Sequence, residues 1–329
     1  MLKKLYLLIP ICILFLLIFS QKQSYALEIK SVSYDKSVYF ENEEAVAKVT
    51  LVNKSNFPKT AWLGYSLRSP EDKWIDIEPQ KISLLANKSQ TVMMKYRLKT
   101  NITGAYASVF ALWDSFPITQ ASKRLANSEL ENAFSYFKTQ ETFEKFNDTM
   151  WLKREGMLNQ TVLSEANVQI KNNKLCIKLP KNKLEGGELQ SKSEVGFGAY
   201  EVYIKLPNAP STITGFFLYK QPDFHHEIDI EVFNKPKSEV FFTTYENNGI
   251  KNSHKLALDF DPTASFHKYR IEFYEHKVRF LIDNKLYYEV TQGFSKEKMY
   301  LILNAWYPHW LDSTPAQYDS SLLVEWIRY

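Results

Sequence analysis

The run Glu227-Ile228-Asp229-Ile230-Glu231 sets three carboxylic acids on alternate positions of an apolar segment. In a β-strand successive side chains face opposite ways, so Glu227, Asp229 and Glu231 share one face while Ile228, Ile230 and Val232 share the other. Three like charges side by side repel, which raises the pKa of at least one and lets it hold a proton near neutral pH. That is the condition for an acid and a base to work as a pair. At ~3.3 Å of rise per residue, Glu227 and Glu231 are about 13 Å apart at the backbone. On a bent strand their side chains can lean toward the roughly 5 to 5.5 Å carboxyl separation of a retaining glycosidase. One glutamate would attack an anomeric carbon; the other would protonate the leaving oxygen and later activate water. Asp229, between them, is placed to hydrogen-bond one carboxylate and keep the two protonation states distinct. The spacing does not say which glutamate takes which part. Two other readings compete: a solvated acidic outer face, and a metal site that adds His225. Against the first stand His225 and His226 before the motif and Phe233 after it on the same face. Against the second, ligands strung along an extended strand cannot converge on one ion.

The elements that position these groups read as strands. From Leu27 to Trp113 short alternating segments (46–52, 60–67, 92–98 and 105–113) are separated by turn-rich pieces such as Ser69-Pro70-Glu71-Asp72, the pattern of a β-sandwich of Ig-like type. Trp62, Tyr65 and Trp74 are aromatics there that could meet sugar rings, with core or interface packing the more ordinary role. Ser128-Glu129-Leu130-Glu131 offers a capping box, which predicts a short helix through Phe137 in a connector. Strands resume at Glu141, with a turn at Gly186-Gly187 and a hairpin at Asp283-Asn284. The expected organisation is a leader (1–26), an Ig-like accessory sandwich (27–116), a linker with a short helix (117–140) and a catalytic unit (141–329).

Lys3 and Lys4, the apolar run from Leu5 to Phe19 and the Ser24-Tyr25-Ala26 site have the form of a secretory signal peptide cleaved before Leu27. The chain is therefore expected to be secreted or envelope-associated, with no stable membrane insertion after cleavage. Loss of Lys3, Lys4 and Lys22 with the leader takes the formal charge from +4 to +1. A near-neutral surface argues against nucleic acid as a partner and suits an uncharged polymer. Of the two cysteines, Cys12 lies in the leader, so Cys176 has no partner in the mature chain.

Beyond the acidic motif, Glu188 after Gly186-Gly187, the stretch from Gly196 to Glu201, His254, Phe266-His267-Lys268-Tyr269, Leu303-Asn304-Ala305-Trp306 and the closing Trp326-Ile327-Arg328-Tyr329 follow one another in an order and spacing that resembles bacterial licheninases of glycoside hydrolase family 16. The resemblance covers residues 141 to 329. It implies an all-β fold, a concanavalin-like jelly roll of two curved antiparallel sheets preceded here by the smaller sandwich. It also implies Glu227 as nucleophile, Asp229 as assisting residue and Glu231 as acid/base. Glu188, His225, Tyr245, His254, Trp306 and Trp310 would line the groove, and Trp326 would pack in the core. No cofactor is required, relatives carry a structural calcium on the convex side, and a monomer is expected.

Ile230 passes straight to Glu231, without the bulge-forming extra residue of laminarinase-like members. The resemblance therefore points to endo-hydrolysis of β-1,3-1,4-glucan or a related β-linked polysaccharide. A transglycosylase and a non-catalytic sugar-binding protein are the competing functions. Phe224-His225-His226 and Tyr307-Pro308 depart from the licheninase pattern beside the cleaved bond, which leaves the identity of the polymer open.

Overall fold

The computed structural model describes residues 26–329, so all but the last residue of the expected leader lies outside the described residues. These residues form strands almost throughout, with one 3-10 turn at Glu165–Asn167. Among them no helix is long and apolar enough to cross a membrane.

The N-terminal strands build two sheets. One has the order Leu27–Tyr34, Glu44–Asn53, Ser89–Arg97; the other runs Val38–Phe40, Arg124–Phe137, Gly104–Trp113, Lys59–Arg68, Trp74–Leu84. Period-two alternation sends Ala47, Val49 and Leu51 from the first and Leu63, Tyr65, Leu67, Phe110 and Leu112 from the second into a shared core. Tyr65 belongs to that core at 1% exposure, stacked 4.5 Å from Phe110, whereas Trp62 is half-buried and Trp74 is exposed.

The helix expected after Ser128 is instead part of the strand Arg124–Phe137. The capping-box pattern is local, and the strand wins because Phe134 and Tyr136, two apart, both reach the core. A register shift opposite Tyr106 and Ser108, with Asn132 at φ 50°, absorbs the break in alternation. This also moves the expected boundary. Pairing in the N-terminal sheet continues to Phe137, and pairing in the C-terminal half begins at Gln140, after Lys138 and Thr139 donate to the carbonyl of Tyr329.

The C-terminal half stacks a nine-stranded on an eight-stranded sheet. The first runs Gly156–Leu158, Thr161–Leu163, Glu185–Val195, Met299–Trp306, Ile213–Lys220, His226–Phe233, Glu239–Glu246, Ile250–Ala257, with Trp151–Lys153 added beside Glu185–Val195. The second runs Val168–Lys171, Lys174–Leu179, Ser320–Arg328, Gly198–Lys205, His267–Tyr274, Lys277–Ile282, Lys285–Val290, with Gln140–Glu141 added beside Ser320–Arg328. Phe216, Leu218, Ile228, Ile230, Val240 and Phe242 from the first meet Val202, Ile271, Phe273, Phe280, Leu322 and Val324 from the second. Cys176 is buried in Lys174–Leu179, where burial pushes its thiol up. Trp326, expected in the core, is half-buried, stacked 5.4 Å from Tyr203 and covered by the Arg328 guanidinium at 3.7 Å. A register shift at Tyr203 in its pairing with Ser320–Arg328 breaks the alternation that put Trp326 in phase with the core.

The two halves meet through buried polar groups. Thr103 accepts from the Ala199 N–H with its hydroxyl (2.7 Å) and from the Tyr274 hydroxyl with its carbonyl (2.9 Å). Arg270, itself buried, pairs with Glu201 (2.7 Å) and Glu272 (3.3 Å), donates to Ser135 and lies 5.4 Å from the Phe137 ring.

Candidate active site

The strand His226–Phe233 lies inside the nine-stranded sheet, between Ile213–Lys220 and Glu239–Glu246, and both ladders run without a register shift across Ile230-Glu231. The bulge-free strand expected from the sequence is therefore present. Ile228, Ile230 and Val232 are 0 to 2% exposed and point at the other sheet, so Glu227, Asp229 and Glu231 occupy the face turned away from it.

In register, Glu227 stands between Tyr219 and Tyr245, Asp229 between Phe217 and Thr243, and Glu231 between Gly215 and Phe241. These neighbours wall the acids in: Asp229 is 3% exposed although its face is the outer one, and the two glutamates are half-buried. Poor solvation next to like charge sets their protonation. Burial pushes Glu231 up to about 7. Burial, then the charges of Glu231 and Asp223, push Glu227 up to about 8, against the opposing effect of a hydrogen bond from Asp229. Asp229 is driven well above the usual carboxylate range by burial, then by Glu227 and Glu231, and by the bond it gives Glu227. Its Oδ1 is buried without a hydrogen-bond partner. Asp229 is thus held toward its protonated form, the form in which it can donate to Glu227.

The row beside Glu231 continues through Gly215 and Asn304 to Glu188. Gly215 leaves room there for the Asn304 amide, since a Cβ would sit 2.7 Å from the Asn304 Oδ1. The Asn304 side chain instead lies over the glycine, accepting from its N–H (3.2 Å) and donating to Glu188 (3.0 Å). Arg154 approaches the other Glu188 oxygen at 3.7 Å. Burial raises Glu188, and Asn304 and Arg154 pull it back.

Most of the residues expected to line the groove are brought together. Glu188 lies three strands across the sheet from Glu231, with Gly215 and Asn304 between them in the same row, and Tyr245 lies beside Glu227, 5.8 Å from Phe224. Trp306 shares the face of Asn304, half-buried, opposite Ile213. Trp310 is 47% exposed and edge-on to Phe233 (5.8 Å) and Phe241 (6.4 Å). His225 is in the turn before the strand, its N–H donating to Pro222. His254 is the exception. It pairs with Phe242, which pairs with Ile230, so it stands on the opposite face from the acids and stacks on Tyr288 at 4.7 Å. A one-position phase error in an edge strand is enough to reverse a side chain. The Tyr307 that departs from the licheninase pattern is fully buried, its N–H held by Thr161 and its hydroxyl by the Ala316 N–H.

Gly215, Asn304, Tyr219 and Phe241 were not expected from the sequence as site residues. Only Asn304 carried a signal, since it is two positions before Trp306 and therefore on the same face; the others join the site through cross-strand register. Among the described residues no three His, Cys, Asp or Glu side chains gather as metal ligands.

The model of glycosyl hydrolases family 16 matches residues 157–328, which contain the strand of acids and every row beside it. The chain belongs to that family. This family 16 glycoside hydrolase is 26% identical to a β-glucanase of Bacillus licheniformis over 252 residues, covering 72% of the present chain and 99% of the relative. It is 29% identical over 205 residues to a β-glucanase of Paenibacillus polymyxa, covering 57% and 86%. Among solved structures, a Bacillus licheniformis β-glucanase superposes with a TM-score of 0.54 at 25% identity, covering 58% of this glycoside hydrolase and 96% of that chain.

Proposed function

We propose that this glycoside hydrolase is an exported retaining endo-β-glucanase, acting on β-1,3-1,4-glucan or a closely related β-linked polysaccharide. The observation that carries the reading is the walled row of Glu227, Asp229 and Glu231, with a hydrogen bond from Asp229 to Glu227 and none to Glu231. The hydrogen bond from Asp229 favours the charged form of Glu227, which suits a nucleophile, and it opposes burial and the charge of Glu231, which still hold Glu227 at about 8 against about 7 for Glu231 in the sugar-free site. In the sugar-free enzyme the two glutamates titrate close together, so they share protons as a unit. The positive charge that develops at the anomeric carbon then draws the anion onto Glu227.

In the first step a Glu227 oxygen bonds to the anomeric carbon as the glycosidic C–O bond breaks, and the Glu231 proton passes to the leaving oxygen. In the second step Glu231 takes a proton from water, whose oxygen attacks the same carbon and releases Glu227. Two displacements return the original anomeric configuration. Glu188 with Asn304, and Tyr245, would bind sugar hydroxyls, and Trp306 and Trp310 would stack on ring faces. The leader-like residues 1–26 support export, and the names of the relatives support β-glucan.

The test is Glu227→Ala with barley β-glucan and with an aryl β-glycoside. Turnover should fall roughly 10⁴-fold or more, and azide should restore cleavage of the aryl glycoside with an inverted glycosyl azide as product. Near wild-type turnover, or a rescued product of retained configuration, would remove Glu227 from this role.

A further inference from the structure

The N-terminal five-stranded sheet turns one face to the core and the other to solvent, and the outer face is not a generic charged surface. Alternation along Lys59–Arg68 and Gly104–Trp113 brings Trp62 and Trp113 into direct cross-strand register on that outer face, continued by Lys81 on one side and Arg124 on the other. Trp62 is braced by Phe116 at 4.9 Å and by the Lys81 ammonium at 6.0 Å. Trp113 lies across Gly64, its Nε1 3.5 Å from where a Cβ on that glycine would be, an ordinary van der Waals distance. Phe116 and Ile118 beside them are 44% and 43% exposed.

The next rows are small: Gly64 beside Ala111 and Asn127, then Ser66 beside Val109. The result is a strip that starts at two indoles and a phenyl ring and runs level for about 13 Å, from Trp62 to Ser66 at ~3.3 Å per residue. The charges at its far end are already satisfied: Arg68 is paired with Asp72, Glu129 and Glu131, and Asp76 accepts from Ser66. Exposed aromatic side chains in a contiguous patch mark a binding surface rather than ordinary surface composition. A strip of indole and phenyl faces running into small side chains, with the Asn127 amide at its edge and the Lys81 and Arg124 cations flanking the tryptophans, matches one chemistry. Pyranose rings present C–H faces that are drawn to the negative face of an aromatic ring, and hydroxyls that amides can bond.

We propose that this strip is a second binding site, one that holds a neutral β-linked glycan against Trp62, Trp113 and Phe116. It keeps the polymer near the catalytic sheet without taking part in cleavage. Because both sites sit on one chain, capture at the strip raises the effective concentration of glycan at the acids. The identity of the polymer rests on the function proposed above; the existence of the site does not.

The test uses the full chain in a Glu227→Ala background, so that glycan is bound and not cut, by affinity electrophoresis through gels holding barley β-glucan or lichenan. Trp62→Ala with Trp113→Ala should weaken retardation about tenfold. Ala111→Glu, which keeps every ring but sets a charge on the strip, should do the same, and thermal unfolding checks that it folds. In the catalytically intact chain, both variants should leave hydrolysis of a short aryl glycoside within twofold of the parent while slowing attack on insoluble glucan. Platform-dependent retardation in a chain that hydrolyses no β-glucan would support the site and overturn only the proposed activity. Hydrolysis with retardation unchanged in Ala111→Glu would overturn the site alone, as would a parent that is not retarded by either polymer. A parent dimer in sedimentation that Ala111→Glu turns into a monomer would assign the strip to self-association and overturn the proposal.

Discussion

Glu231→Gln tests the electrostatics of the site through stability, independently of catalysis. Glu231 titrates at about 7 in the folded chain against an ordinary 4.5. Its folded pKa is raised, so the folded state binds this proton more tightly than the unfolded chain does. The contribution is fully present below about 4.5 and is lost as pH rises through about 7. Tenfold in proton affinity corresponds to about 1.4 kcal/mol, so the wild type loses about 3 kcal/mol from this group across that window. Glutamine is nearly isosteric and does not ionise. It also removes a charge that raises Glu227, which adds to the effect in the same direction. Thermal unfolding of wild type and variant from pH 4 to 8.5 should show near-equal Tm at pH 4 and a variant more stable at pH 8, by roughly 6 to 12 °C at ~2–4 °C per kcal/mol. A gap that does not change with pH, or a variant that is the less stable one at pH 8, would refute a desolvated, proton-holding Glu231. The same variant should hydrolyse polymer about 10²- to 10⁴-fold more slowly, with a smaller loss on aryl glycosides whose leaving groups need no proton.

Other outcomes follow from neighbouring residues. The pH profile of kcat/KM should fall on its alkaline side with an apparent midpoint near 7 to 8, where the coupled acids lose the catalytic proton; that limb should vanish in Glu231→Gln assayed with an activated aryl glycoside. Gly215→Ala sets a Cβ 2.7 Å from Asn304 Oδ1 and displaces the side chain that holds Glu188. It should lower kcat/KM about tenfold or more while costing only about 1 kcal/mol of stability, because an amide end can swing aside. Arg270→Ala strips Glu201 and Glu272 of their buried partner at the junction of the two halves. Denaturant unfolding should register a loss of about 3–5 kcal/mol, with the remaining folded fraction as active as wild type.

The alternation of Glu227, Asp229 and Glu231 with Ile228 and Ile230 was enough, by itself, to specify a strand with one chemical and one apolar face, because side-chain parity is a local property of extended backbone. The same local rule identified the short strands of both halves, and Cys176 within one of them. Where parity had to be carried across strands it failed. His254 is polar and close in sequence to the site, yet its pairing with Phe242 turns it to the far face. Trp326 lost its phase at a register shift, and the capping-box signature at Ser128 was overruled by the burial of Phe134 and Tyr136 in a ladder formed with residues some 30 positions away. Tertiary structure alone put Gly215 beside Glu231, stretched Asn304 across to Glu188, set Tyr219 beside Glu227, and closed Phe217 and Thr243 around Asp229. The protons these acids hold near neutral pH depend on that enclosure, since desolvation is a property of everything packed around a group and not of the five residues that contain it.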